Sequence, residues 1–198
     1  MSDSNRTGAL DRVLVITGAS SGIGAALARA AVARGARVAL AARREARLRE
    51  LAASLGSLAL AIPADVTRRE DVARIVAATL ERFGGIDVWV NNAGRGISRP
   101  VLELTDAEFD EMMLINTKSA LYGMQSVLPH FRERGRGHVI NVSSMLGRVP
   151  FASQRSAYSA AKHALNALTA CLRIDLAQSH PGIHVSTVCH RWWPRRSG

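Results

Sequence analysis

Short, unbroken apolar runs alternate along this chain with longer segments whose apolar residues recur every three or four positions. Val13-Leu14-Val15-Ile16 is the first such run, the pattern of a strand buried on both faces. A glycine-rich stretch, Thr17-Gly18-Ala19-Ser20-Ser21-Gly22-Ile23-Gly24, then leads into an alanine-rich helix that reaches about Arg34 and stops at Gly35. The pattern predicts further strands over 37–42, 58–62, 86–90, 139–142 and 183–188. Helices are predicted over 44–54, from a Thr67–Glu70 capping box to Phe83, from a Thr105–Glu108 capping box to Arg134, and through Tyr158 to Ala177. Pro129 marks the expected bend or break in the helix ending at Arg134. Strictly alternating strands and helices call for an α/β fold, a doubly wound parallel sheet with helices on both faces. No repeat, linker or low-complexity segment divides it, so residues 12–188 read as one domain, flanked by a flexible N-terminus (1–11) and an atypical basic tail (189–198).

Composition narrows this picture only a little. The 198 residues are 47% apolar and 21% charged, as in an ordinary globular domain. No signal-peptide pattern or bilayer-length apolar stretch is visible, and Cys171 and Cys189 have no metal-ligand spacing; a cytoplasmic setting is expected. The net charge of +10 is almost all arginine, the only lysines being Lys118 and Lys162. The arginines are dispersed, and no zinc-finger, RNP-type or basic-zipper pattern accompanies them, so no nucleic-acid or membrane partner is expected.

Candidate chemistry collects where strands end, which is where open parallel sheets bind ligands. Gly18, Gly22 and Gly24 allow a tight turn against a helix N-terminus suited to phosphate, with Ser20, Ser21 and Ile23 completing the loop. No Walker lysine follows. The second strand ends in Ala41-Ala42-Arg43-Arg44 without the carboxylate that would meet a free ribose 2′-hydroxyl. Arg43 suits a 2′-phosphate, with Ser20 as a second donor, and favours NADP(H) over NAD(H); Arg44 reads as a solvated helix-start residue. Asp65-Val66 either meets an adenine or makes the turn before Thr67, and Asn92-Ala93-Gly94 either walls a cofactor site or makes a plain turn. Tyr158 and Lys162, four apart, share one helical face, where an ammonium would favour the phenolate.

In this order and at these separations, Thr17–Gly24, Asn91–Gly94, Ser144 and Tyr158-Ser159-Ala160-Ala161-Lys162 resemble the short-chain dehydrogenase/reductase family over roughly residues 12–188. The resemblance implies a Rossmann-type three-layer sandwich, with six strands here and the family's last strand missing. It implies a pyrophosphate site along Gly18, Gly22 and Gly24, adenine contacts from Asp65 and Val66, and a cofactor wall from Asn92, Ala93 and Gly94. Tyr158 would be the general acid/base and Lys162 its partner and a ligand of the nicotinamide ribose. Ser144, preferred over Ser143, would bond the substrate oxygen, and Asn116 would support a water relay to the lysine. The implied activity is NADP(H)-dependent interconversion of a carbonyl and a secondary alcohol on a small-molecule substrate, in a homodimer or homotetramer.

The pattern departs from the family after Val188, where a Pro-Gly loop is usual and this chain reads Cys189-His190-Arg191-Trp192-Trp193-Pro194. A truncated or frame-shifted end is the favoured reading. It predicts an open sheet edge and, as the alternative function, a catalytically impaired cofactor-binding protein. A Ser144–His163–Asp175 hydrolase triad is discounted, because no nucleophile elbow surrounds the serine.

Overall fold

The computed structural model describes residues 11–190. The N-terminal ten residues and the Arg191–Gly198 part of the basic tail lie outside the described residues. Six strands form one parallel sheet in the order β3-β2-β1-β4-β5-β6: β1 (Val13–Thr17), β2 (Arg37–Ala42), β3 (Ala59–Pro63), β4 (Val88–Asn91), β5 (Gly137–Ser144) and β6 (Ile183–His190). The order turns back between β1 and β4, and the crossovers are α1 (Gly22–Val32), α2 (Glu45–Leu55), α3 (Arg69–Phe83), α4 (Asp106–Met113) running on to α5 (Ser119–Arg134), and α6 (Ser156–Ser179). A doubly wound sheet of this order has its ligand crevice at the carboxyl ends of β1 and β4.

Adjacent strand residues point to opposite faces, and the core divides accordingly. Val15, Ala39, Trp89 and Val139 join Ile75, Phe131 and Leu176 on the α3–α6 side. Ile16, Leu40 and Val90 join Ala28 and Leu48 on the α1–α2 side. This is why the strand sequences are apolar without alternation. The stripe along α6 behaves as its spacing predicts: Leu165 and Leu176 are buried, and Leu168 and Leu172 pack against the same cluster.

Three local expectations change. The Thr105 capping box forms, with reciprocal bonds between Thr105 and Glu108. The Thr67 box does not: the Thr67 hydroxyl donates to Asp65 Oδ1 at 2.8 Å, α3 starts after Arg68, and Glu70 pairs with Arg68 instead. An Asp two residues upstream is a nearer acceptor for the threonine than the helix backbone is. The helix from Asp106 to Arg134 continues through Pro129 and is irregular elsewhere, in a π-helical turn over Leu114–Lys118 that contains Asn116. Such wide turns interrupt helices where a side chain is re-aimed, frequently at functional sites. Finally, β6 runs two residues beyond its expected end, so Cys189 and His190 are strand, paired with Ser143 and Ser144. Among the described strands β6 forms the sheet edge; Val188 is half exposed, and Arg173 Nε donates to the Val185 carbonyl at 2.9 Å.

At the opposite end of the sheet His130 Nε2 accepts from the Ile86 amide at 3.1 Å, a role open only to the neutral imidazole. Burial, then the Arg134 charge, lowers the His130 pKa, and burial, then His184, lowers that of His138. With folded values below the unfolded value of about 6.5, the unfolded chain takes up protons first as pH falls. The histidine contribution is whole above about pH 6.5 and declines below it. Urea unfolding at pH 7.5 and pH 5 is expected to show this loss, and His130→Gln, which keeps an acceptor, is expected to shrink it; a pH slope identical in the variant would contradict the assignment.

Candidate active site

A cavity of about 1170 Å³ opens at the carboxyl ends of the strands and runs from the α1–α2 side to α6. At one end lies the loop after β1. Gly18 and Gly22 have φ of +67° and +56°, which L side chains rarely adopt. A Cβ on Gly18 would meet the Ala93 Cα at 2.8 Å, one on Gly24 would meet the Gly18 carbonyl oxygen at 2.7 Å, and one on Gly22 would project into open space. The first and third glycines thus pack loop against strand and helix, and the second leaves backbone bare to the cavity. Asn92 Nδ2 donates to the Thr17 carbonyl at 2.8 Å, and the Thr17 hydroxyl accepts from the amides of Asn92 and Ala93 at 3.0 and 3.1 Å. Asn92-Ala93-Gly94 is therefore tied to the glycine loop, not a plain turn.

Ser20, Ser21, Ile23, Arg43, Asp65 and Val66 line the same end. Arg44 differs from its expected solvated role: its guanidinium reaches back to the loop, donating to Ser20 Oγ at 3.0 Å and also to Ser21 Oγ. The cause is the Ala19 amide bonding to the Ala41 carbonyl, which sets the loop beside the end of β2. Two arginines, Arg43 and Arg44, thus border the cavity where one was foreseen. Asp65 Oδ1 is taken by the Thr67 amide and hydroxyl, so the turn role of this residue is real, while the residue still lines the cavity.

At the other end, Ser144 closes β5 and Tyr158 and Lys162 sit in the first turns of α6. Ser143 and Ser144 are both buried, and both line the cavity. Of the two, Ser144 is the one that acts on the Tyr158 phenol, in the direction that favours the phenolate. Burial outweighs it and raises the Tyr158 pKa, with the Arg155 charge a smaller opposing influence. Lys162 Nζ is 5.8 Å from the Tyr158 ring centre and donates to the Val142 carbonyl at 2.9 Å. Only 4% of Lys162 is exposed, and burial lowers its pKa to about 8. Burial thus holds both members of the pair toward their neutral forms.

Asn116, in the π turn, bonds through Nδ2 to the Arg95 carbonyl at 2.8 Å and the Met112 carbonyl at 3.1 Å. Its Oδ1 is buried without a hydrogen-bond partner. A Cβ on Gly94 would lie 2.6 Å from that oxygen and 3.6 Å from Lys162 Nζ, so glycine is required where amide and ammonium converge.

The bare glycine backbone at a helix start and the two arginines beyond β2, at the carboxyl ends of a doubly wound sheet, are the features of an α/β dinucleotide-binding domain. A family model described as short chain dehydrogenase matches residues 12–191, and the chain belongs to that family of NAD(P)-binding oxidoreductases. It is 35% identical over 178 residues to an uncharacterized oxidoreductase of Staphylococcus epidermidis, covering 90% of this chain and 76% of the relative. A short-chain dehydrogenase from Streptomyces avermitilis superposes with a TM-score of 0.84 at 41% identity, over 90% of this chain and 65% of that one. A family member from Burkholderia phymatum in complex with NAD superposes with a TM-score of 0.88 at 28% identity, over 92% of this chain and 66% of that one. No helix among the described residues is long and apolar enough to cross a membrane.

The depressed lysine carries a measurable cost. A shift from 10.5 to about 8 corresponds to about 3 kcal/mol disfavouring the charged, folded form at neutral pH. With the folded pKa below the unfolded one, stability is expected to rise as pH climbs from about 8 to about 10.5. Lys162→Met is expected to match or exceed the wild type in urea unfolding at pH 7, by up to about 3 kcal/mol, with the advantage shrinking by pH 10. A variant less stable than wild type at pH 7 would show that the bond to Val142 outweighs desolvation.

Proposed function

We propose that this protein is an NADP(H)-dependent oxidoreductase that interconverts a carbonyl and a secondary alcohol. The observation that carries the reading is the convergence of Ser144, Tyr158, Lys162 and Asn116 at one end of a cavity whose other end is the glycine loop and two arginines. The nicotinamide supplies or accepts the hydride, so the chain needs no nucleophile of its own. Gly18, Gly22 and Gly24 would hold the pyrophosphate, Asp65 and Val66 the adenine, and Asn92, Ala93 and Gly94 the wall along it. Ser144 orients and polarises the substrate oxygen through its hydroxyl. In reduction Tyr158 gives its proton to that oxygen, and its raised pKa keeps the phenol protonated at neutral pH. Lys162, whose Nζ is 5.8 Å from the Tyr158 ring centre, would favour the phenolate left behind, and the free Asn116 Oδ1 is a ready acceptor on the path that returns a proton. Oxidation runs the same steps in reverse.

The unpaired Cys171 and Cys189 suit a reducing cytoplasm, and the exposed Phe109 and Ile174 on α4 and α6 support helix-mediated dimers or tetramers.

Tyr158→Phe is expected to lower turnover of a carbonyl panel at least a thousandfold while changing NADPH affinity less than threefold. Undiminished turnover would remove Tyr158 from the mechanism; a wild type that binds NADPH and turns over nothing would favour the cofactor-binding alternative.

The preference for NADP(H) rests on Arg43 and Arg44 standing where a carboxylate would select the free 2′-hydroxyl. The Burkholderia neighbour holds NAD, so the choice is made by this chain's own residues. Arg43→Ala and Arg44→Ala are each expected to weaken NADPH binding tenfold or more and NADH binding less than threefold, by fluorescence titration. Equal losses for both nucleotides would remove the argument.

A further inference from the structure

The serine at the reacting end has half of its hydrogen bonding decided by its own backbone. The Leu146 amide donates to Ser144 Oγ at 3.2 Å and caps the short turn Met145–Gly147 that follows β5. An amide N–H can only donate, so this bond takes a lone pair of the hydroxyl and leaves its proton to be given elsewhere. Ser144 lines the cavity and acts on the Tyr158 phenol, so the side toward the reacting groups is open to that proton.

The turn is in its own right held from α6. Ser159 Oγ donates to the Leu146 carbonyl at 2.5 Å, and Asn166 Nδ2 donates to the Gly147 carbonyl at 2.8 Å. A Cβ on Gly147 would lie 2.8 Å from the Lys162 carbonyl oxygen and 2.9 Å from Asn166 Nδ2, so the turn lies flat against the helix between its two anchors. Positions 159, 162 and 166 are three and four apart and share one face of α6. The helix that carries Tyr158 therefore also carries the turn that aims Ser144. Ser159, Leu146 and Gly147 are buried. Asn166 Oδ1 is buried without a hydrogen-bond partner. A buried amide left half satisfied is a poor stabiliser, which makes holding Gly147 the better account of this residue.

We infer that Ser159 and Asn166 are positioning residues for the proposed reaction. Through the Met145–Gly147 turn they hold the Leu146 amide behind Ser144 Oγ, so that the serine hydroxyl gives its proton forward, to the substrate oxygen. The inference rests on the carbonyl–alcohol reading above. Neither residue is among those that line the cavity, so each acts through the turn and not on the substrate. A hydroxyl free to rotate is a donor in some rotamers and an acceptor in others. A carbonyl oxygen that gains negative charge needs a donor already fixed in place.

The test uses the full chain. Ser159→Ala and Asn166→Leu reach the turn through separate bonds, so each tests it alone. With NADPH and a panel of carbonyl substrates, each is expected to lower kcat at least tenfold while the KM for NADPH changes less than threefold. In a Ser144→Ala background the same substitutions are expected to cost less than twofold, because the group they position is gone. Unchanged kcat in the single variants, or full losses in that background, would overturn the inference. A separate arm needs no turnover. The chain has two tyrosines, so in a Tyr122→Phe background an isotopically labelled tyrosine ring gives one magnetic resonance signal, that of Tyr158. At neutral pH both variants are expected to move this signal in the direction that Ser144→Ala moves it, and to add nothing once Ser144 is alanine. A signal that neither variant moves overturns the positioning role. Should the wild type reduce nothing, a coupled shift supports the positioning of Ser144 while the reductase reading fails.

Discussion

A chain of buried side-chain bonds through the middle of the sheet fixes everything above it. Trp89 Nε1 donates to Asn91 Oδ1 at 2.7 Å, Asn91 Nδ2 donates to Asn141 Oδ1 at 2.8 Å, and Asn141 Nδ2 donates to the Thr169 hydroxyl at 2.8 Å. Thr169 in turn donates to the Leu165 carbonyl at 2.7 Å. All four side chains are buried, Trp89, Asn141 and Thr169 completely. A buried amide left unpaired costs about 1–3 kcal/mol, so β4, β5 and α6 have one register in which none is. Asn91 and Asn141 are direct partners across β4 and β5. Ser144 comes three residues after Asn141, and Lys162 three before Leu165. Holding the asparagine and the threonine together therefore brings the end of β5 and the start of α6 together, which is what sets Ser144 against Tyr158.

The strands and the two ends of the cavity were readable because burial on both faces writes itself as continuous apolar sequence, and glycine marks places where backbone conformation or close approach forbids a side chain. Three features were not readable. The π turn at Leu114–Lys118 leaves the apolar spacing of its helix almost unchanged, since side-chain period reports burial and not which carbonyl each amide finds. Arg44 looked like any arginine at a helix start; only the backbone bond between Ala19 and Ala41 puts the serines of the loop within its reach. Thr67 carried a capping-box spacing, but Asp65 competes for its hydroxyl, and spacing rules do not rank two nearby acceptors.

The reading of Tyr158 and Lys162 changed more than their location. Spacing suggested a lysine charge that makes an acid of the phenol. Burial dominates instead, raising the pKa of one and lowering that of the other. Lys162 is turned to the Val142 carbonyl, with its Nζ 5.8 Å from the Tyr158 ring centre. The site is therefore built less as a standing ion pair than as two desolvated groups, each short of a partner for its charged form. The resource that remains is the Asn116 oxygen, buried without a donor and meeting Lys162 Nζ around Gly94. In a low-dielectric site, a charge that appears during reaction is stabilised by whatever pre-oriented dipoles face it. In the proposed reaction Ser144 and the Asn116 amide would be those dipoles, for a phenolate and an ammonium. The π turn that aims Asn116, the missing side chain at Gly94 and the buried asparagine chain below thus converge on one arrangement: an unpartnered amide oxygen held close to a buried lysine.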